Sequence, residues 1–406
     1  MMGGDDGMVD TSITNIKGVR CASGMIGIKA NGADDAALFV VDQKAAYAGV
    51  FTTNQFKSAC VESASERLHA GKSVQAVLIT SGNANAGTGL EGRADTELLA
   101  AAVAKEVGCH ADEVIVLHTG VIGIPLHAAR LIEHIPSLVG TLSDQPKAGI
   151  DVARAMMTTD TVPKTALRKV VLHGKKYTVG GVAKGAGMIH PRLATMLSVI
   201  ITDAPVHALA LQVALAKAVR TSFNAISVDG DTSPNDSVIL LATGEGDLLT
   251  AEDDEFKVFC AALDEVANDL AQMIVRDAEG ATKFLEIEVL HAVSQQDAEQ
   301  IAATVATSPL VKTAFYGEDF NPGRIISAVG RSGVTIAWEH LTMQIGGQIV
   351  FQDGKFREVS PDEAQSVMVQ KDIVITIDLG QDEARCRFFT CDLTHDYVSI
   401  NAEYTT

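Results

Sequence analysis

The feature that most limits how this chain can fold sits near its middle. A glycine-rich run, Gly180-Gly181-Val182-Ala183-Lys184-Gly185-Ala186-Gly187-Met188, leads into His190-Pro191-Arg192-Leu193-Ala194-Thr195-Met196-Leu197, and a β-branched run, Ser198-Val199-Ile200-Ile201-Thr202, follows. A small residue and then threonine, between a pliable loop and a strand, is what a self-cleaving N-terminal-threonine enzyme needs. The Thr195 hydroxyl can attack the Ala194 carbonyl, and hydrolysis of the resulting ester leaves Thr195 as a new N-terminus. Its freed α-amine, with an ordinary pKa of about 8, then serves as base beside its own hydroxyl, a known way to activate a weak nucleophile. Such a chain must begin a strand at Thr195. Ala-Thr at a buried strand start is also common, so the segment alone leaves both readings open.

Around this segment the pattern alternates strand and helix. Ala46 to Val50 and Ala76 to Thr80 read as short strands, each running into a polar loop. Asp95 is expected to cap a helix through Val107, with Gly108 as its stop. Val114 to Leu117 is a buried-strand run that delivers His118, Thr119 and Gly120 to a loop. Helices are expected over Leu126 to Ile135 and Ile150 to Met157. Lys169 to Leu172 and Lys176 to Val179 flank a hairpin turn at His173-Gly174-Lys175. Further on come a helix over Leu209 to Ser222, a strand at Val238 to Leu241, a mostly helical stretch from Asp253 to Arg276, and an alternating strand from Phe284 to Val289. The interleaving predicts an α/β protein of layered sheets and helices. A length of 406 residues favours two structural lobes.

Composition excludes several classes. A hydrophobic fraction of 47% with 20% charged residues describes a chain able to bury a core, and no run of eighteen apolar residues reads as a membrane span. Residues 1–12 carry Asp5, Asp6 and Asp10 and read as a frayed tail, neither a secretory signal nor a transit peptide. A net charge of −19 argues against nucleic acid and anionic membrane as partners. Cys21, Cys60, Cys109, Cys260, Cys386 and Cys391 lack metal-binding spacing and read as reduced structural thiols, so no metal is expected. No G-x-S-x-G elbow offers a serine nucleophile, and Cys109-His110 adjoin only at an expected helix end. Glycines around Lys184 suggest a phosphate loop, but the Walker A spacing is absent; a lysine so close before Thr195 suits a substrate carboxylate better than a solvated face.

The blocks extend along the chain. Lys184-Gly185-Ala186-Gly187-Met188-Ile189, Pro191, Leu193-Ala194-Thr195-Met196-Leu197 and Thr202-Asp203-Ala204 resemble the processing site of the ornithine acetyltransferase family. Ser81-Gly82-Asn83-Ala84-Asn85-Ala86, His118 to Gly123 and Met157-Thr158-Thr159-Asp160-Thr161 resemble its upstream blocks. Ser222-Phe223-Asn224, Val228 to Ser233, Arg276 to Lys283 and Asp396 to Thr406 resemble its downstream blocks, in family order. The resemblance implies layered α/β sandwich lobes with mixed sheets, an N-terminal-nucleophile-like fold and an active site in the cleft between two lobes. It implies an α-chain ending at Ala194, a β-chain 195–406 that completes the first lobe and adds a smaller second one, and assembly as α2β2 or a larger symmetric form.

For the site, the resemblance implies Thr195 as nucleophile and Thr119 with Gly120 as oxyanion hole. Thr158, Lys184, Thr195, Glu279, Asn401 and Thr406 become substrate contacts. A sharp loop after a hydrophobic strand can indeed aim a hydroxyl and an N–H at one point, a donor pair worth about 3–4 kcal/mol per donor in acyl transfer. A plain turn is the alternative for that pair, helix-end capping for Thr158. Glu279 suits the α- or δ-ammonium of ornithine, and an acid near a helix C-terminus opposes the macrodipole. The implied reaction moves acetyl from N2-acetylornithine to glutamate, giving ornithine and N-acetylglutamate, in the cytoplasm, with no cofactor and with acetyl-CoA left open as a co-substrate. Arg192, His118, Gly87 and Phe320-Asn321-Pro322-Gly323-Arg324 depart from the family pattern. Arg192 is expected to affect self-cleavage, and His118 the oxyanion-hole electrostatics. A paralogue acting on another amino acid, and an uncleaved amino-acid-binding protein, are the rival readings.

Overall fold

A computed structural model describes residues 6–190 and 196–403. Its strands are β1 (Val19–Gly24), β2 (Ala36–Phe51), β3 (Val74–Asn83), β4 (Val114–Val121), β5 (Lys164–Leu172), β6 (Lys175–Lys184), β7 (Leu197–Thr202), β8 (Ile226–Ser227) and β9 (Ser237–Ala242), then β10 (Phe284–Ala292), β11 (Thr342–Ile345), β12 (Gln348–Gln352), β13 (Lys355–Phe356), β14 (Asp372–Asp378) and β15 (Ala384–Cys391). They form two mixed sheets. One has eight strands in the order β4-β3-β2-β9-β7-β6-β5 with β1 on β2; the other has seven in the order β13-β12-β11-β14-β10-β15-β8.

The first sheet is covered on both faces, which is why its central strands are apolar throughout rather than alternating. Ile200 and Leu240 point to a core shared with the helices Ala208–Thr221 and Asp254–Arg276. Val199, Ile201, Ile239 and Leu241 point to the opposite core, under the helix Pro146–Ala155. The period-two alternation of strand side chains thus feeds two cores at once. In the second lobe, Leu285, Ile287 and Val289 of β10 join Ile373, Ile375 and Ile377 of β14 beneath the helix Gln295–Ala306. The two lobes fuse where Phe284 stacks on Phe389 at 5.6 Å between ring centres, both within the core of the helix Asp254–Arg276. The expected two-lobed, layered α/β architecture with mixed sheets is therefore present.

Most expected elements are found, several of them longer. Ala46 to Val50 lies within the second half of the sixteen-residue β2, which pairs with β3 through its first half and β9 through its second. The hairpin turn is His173-Gly174, both with positive φ (48° and 73°), joining β5 to β6, the conformation a two-residue turn favours.

Three expectations are corrected. The helix ending at Gly108 begins at Gly89, not at Asp95. Its first turn rests on Asn85, whose Nδ2 donates to the Gly92 carbonyl at 2.8 Å, a tertiary support that overrides weak glycine propensity. The helix expected over Leu126 to Ile135 is broken into Ala128–Leu131, a 3-10 turn Ile132–His134 and Ile135–Val139, because Pro136 has no N–H to continue it. The tail is tied down at its end: Thr11 and Thr165 hydroxyls meet at 2.6 Å, and Ser12 is buried and donates to the Pro146 carbonyl.

Candidate active site

β4, β6 and the C-terminal helix His395–Glu403 deliver their ends to one cavity of about 330 Å³. Thr119 and Gly120 reach it because β3 and β4 run in register up to Ser81↔Thr119 and Gly82↔Gly120 before a bulge at Asn83. Gly120 takes φ 132°, and a Cβ there would collide with the Gly82 backbone, so the close approach of the two strand ends requires glycine. Asn235 fixes the same corner, its Nδ2 donating to the carbonyls of Ala84 (2.7 Å) and His118 (2.8 Å).

Lys184 closes β6 and is buried, not solvated, at 2% exposure. Its ammonium donates to Thr158 Oγ1 at 2.8 Å and Thr119 Oγ1 at 3.3 Å. Burial pulls its pKa below the ordinary lysine range, and the Asp160 carboxylate at 3.9 Å works against that shift. Asp160 is itself buried, which disfavours its charge. The ammonium groups of Lys184 and Lys164 outweigh that and bring it down to about 2. Asp160 accepts from Gly185 N (2.6 Å), Thr158 N (3.1 Å) and Lys164 Nζ (2.7 Å), and Lys164 Nζ also reaches Asp277 at 2.6 Å. This buried network, not helix capping, is the setting of Thr158. Thr159 lines the cavity, whereas Thr161 donates to Asp277 outside it.

Glu279 also lines the cavity. Its N–H donates to the Ala186 carbonyl at 3.0 Å, and its carboxylate accepts from Asn401 Nδ2 at 2.7 Å. Gly187 makes room for that carboxylate, since a Cβ there would collide with it. Met188 is held at φ 56° by Asp229, which accepts from Met188 N (2.6 Å), Ile189 N (3.0 Å) and Tyr397 OH (3.1 Å). Such backbone strain persists only where its surroundings enforce it. Burial pushes the Asp229 carboxyl up. Asp236, also pushed well up by burial, accepts from Met196 N at 2.9 Å.

The structure brings together Thr119, Gly120, Thr158, Lys184, Glu279 and Asn401 from the expected set. Ala194, Thr195 and Thr406 lie outside the described residues, as does Arg192. The sequence offers no role for Asp229, Asn235, Asp236 or Tyr397 and only helix-end capping for Asp160; the blocks containing Asp160, Asp229 and Tyr397 are visible in it, but nothing in local spacing marks those side chains as part of the site. His118 is corrected: its ring faces away from the cavity onto Thr80 Oγ1 at 2.7 Å, and burial lowers it to about 3. It therefore brings no charge to the Thr119 corner at neutral pH.

Chemically, the cavity pairs a deep ammonium, Lys184, with a half-buried carboxylate, Glu279, across a volume suited to a small ligand. A zwitterionic amino acid or its N-acyl form matches that polarity. A larger groove of about 790 Å³ lies beside it, sharing a wall in which Thr232 faces the groove while Asp231 and Ser233 face the smaller cavity. The larger groove lacks this convergence of buried charges. Among the described residues no histidine, cysteine or acidic cluster suits a metal ion, and no helix is long and apolar enough to cross a membrane.

The ArgJ family profile matches residues 20–406. The chain is 41% identical to the arginine biosynthesis bifunctional protein ArgJ of Agrobacterium fabrum, over 96% of this chain and 95% of that protein. It is 42% identical to the protein of the same name from Methylococcus capsulatus, over 99% and 98%. A solved ornithine acetyltransferase from Mycobacterium tuberculosis, complexed with ornithine, is 41% identical and covers 45% of this chain and 95% of its own, with a TM-score of 0.42. By family profile and by whole-length identity, this chain belongs to the ArgJ family.

Proposed function

We propose that this chain is the acetyltransferase of the cyclic arginine route, moving acetyl from N2-acetylornithine to glutamate through an acetyl-Thr195 intermediate. The observation that carries the reading is the convergence of Thr119, Gly120, Thr158, Lys184, Glu279 and Asn401 on one small cavity in a chain of the ArgJ family. Lys184 takes the substrate carboxylate, and Glu279, steadied by Asn401, takes the ornithine ammonium. Thr119 Oγ and Gly120 N stand as donors for the developing oxyanion.

In the first half-reaction the Thr195 hydroxyl oxygen bonds to the acetyl carbon, and its proton passes through the α-amine to the departing ornithine nitrogen as the C–N bond breaks. In the second half-reaction the glutamate amine attacks the acetyl ester and the threonine oxygen recovers the proton. Acetyl-CoA entering as an alternative donor would acetylate the same hydroxyl with thiol as leaving group. Self-cleavage between Ala194 and Thr195, α2β2 assembly and a cytoplasmic location complete the reading.

The test is the denatured mass of the wild type beside Thr195→Ala, followed by transfer of labelled acetyl from N2-acetylornithine to glutamate. Two fragments split between Ala194 and Thr195 and label on N-acetylglutamate, both lost in Thr195→Ala, are expected. An intact wild-type chain that binds ornithine without turnover would overturn the mechanism. Faster transfer to another amino acid would replace the glutamate assignment.

A further inference from the structure

We propose that Lys184 works on the reaction through the Thr119 hydroxyl, and that Asp160 positions it there. This deepens the acetyl-transfer reading and rests on it. An ammonium has only hydrogens to give, and a hydroxyl has one hydrogen and two lone pairs. Because Lys184 Nζ donates into Thr119 Oγ1 at 3.3 Å, the oxygen is occupied as an acceptor and its hydrogen must go elsewhere. Among the described residues no acceptor takes it, and the cavity lies beside it. The hydroxyl is thereby oriented as a donor toward the space where the acyl oxygen gains charge. A donor polarised by a cation is also stronger than a neutral one.

The ammonium is held in place from behind. Thr158 Oγ1 accepts a second of its hydrogens at 2.8 Å, and the Asp160 carboxylate stands at 3.9 Å. Asp160 cannot swing away, since Gly185 N, Thr158 N and Lys164 Nζ all donate to it, and Lys164 is anchored in turn by Asp277. The Lys164 and Asp160 side chains are both fully buried. The arrangement reaches from the end of the helix Asp254–Arg276, next to which Asp277 lies, to the hydroxyl on β4. A lysine that served only to meet a substrate carboxylate would not need this commitment to Thr119.

The experiment uses an acetyl donor with no carboxylate, p-nitrophenyl acetate, on the self-cleaved enzyme, with rates normalised to the cleaved fraction found by mass. Lys184→Met and Thr119→Val should each slow the acetylation burst by about 10²-fold, the loss typical of an oxyanion donor. The double variant should be no slower than the slower single one, because both remove the same interaction. Unchanged burst rates in Lys184→Met, together with a raised KM for N2-acetylornithine, would assign the lysine to carboxylate binding alone and overturn the proposal. So would losses that multiply in the double variant.

Should Lys184→Met fail to fold or cleave, Asp160→Asn decides. It should lower kcat on both donors, including p-nitrophenyl acetate, which has no carboxylate for Lys184 to meet, and Asp160→Glu should recover part of the loss. A change confined to KM would overturn the positioning role. A wild type that forms no acetyl-Thr195 with either donor would instead sink the acetyl-transfer reading itself.

Discussion

His118 precedes Thr119 and Asp160 stands behind Lys184, and their titrations move into different windows for different reasons: burial lowers His118, whereas for Asp160 the ammonium groups of Lys184 and Lys164 outweigh burial. His118 is lowered to about 3 in the folded chain, whereas an unfolded histidine titrates near 6.5. The unfolded state therefore takes up the proton first. Stability should be unaffected by this group above about pH 6.5 and fall by about 1.4 kcal/mol per pH unit below it, down toward the folded value. Urea unfolding of His118→Gln at pH 7, 6 and 5 should lack this slope; an unchanged slope would mean the folded ring accepts its proton. Asp160 is lowered to about 2, so its stabilisation is complete above about pH 4 and is lost only as the pH falls from there toward 2. A second residue-scale prediction concerns Gly187, whose hydrogen lies against the Glu279 carboxylate. Gly187→Ala should raise KM for N2-acetylornithine about 10-fold or more by displacing a charged hydrogen-bonding partner, while the melting temperature stays near the wild-type value. A KM that did not move would remove Glu279 from substrate binding. At this scale the sequence exposes residues whose chemistry sits in a recognisable block, such as Lys184 between glycines. It hides Asp229, whose partner Tyr397 is 168 positions away, and Asp160, whose nearby partners Thr158, Lys164 and Gly185 form a buried network only once the fold brings Asp277 onto Lys164.

Elements were legible where local chemistry decides them and illegible where a distant contact does. The His173-Gly174 turn and the stop at Gly108, in the left-handed conformation at φ 85°, are local and were readable. Asp95 shows the opposite. As a capping residue it suggests a helix start, yet it lies inside the helix Gly89–Val107, and its Oδ1 accepts from Ala128 N at 3.1 Å, at the start of another helix. Its capping chemistry is spent across space instead of along the chain. Asp95→Ala should therefore cost about 1 kcal/mol, the usual worth of a lost cap, without shortening its own helix. Circular dichroism at 222 nm should be unchanged while the urea midpoint falls; a loss of helical signal matching several residues would restore the local reading. Likewise β2 was seen only in part. Its first half, from Ala36 to Val41, is buried on both faces and carries no alternation from which a strand of that length can be read.

At the scale of the whole molecule, the proposed cut between Ala194 and Thr195 divides the chain but not the sheet. β7 and β9, which follow the cut, lie between β2 and β6, which precede it, and every one of these interfaces is a full hydrogen-bonded ladder: β2 with β9 antiparallel, β9 with β7 parallel, β7 with β6 antiparallel. Val199, Ile201, Ile239 and Leu241 from the later segment share a core with Phe39, Ile79 and Val152 from the earlier one. Neither piece can leave without exposing that core and the unpaired edges of two strands, so the fragments have no stable separate existence. The cleaved protein should run in gel filtration with both fragments in one peak at any salt concentration, and unfold in urea with a single transition that takes both fragments together. Surface ion pairs weaken with salt while buried apolar contact does not, so separation of the fragments by salt alone would show that the halves meet across a polar interface and that the continuous sheet is not what joins them.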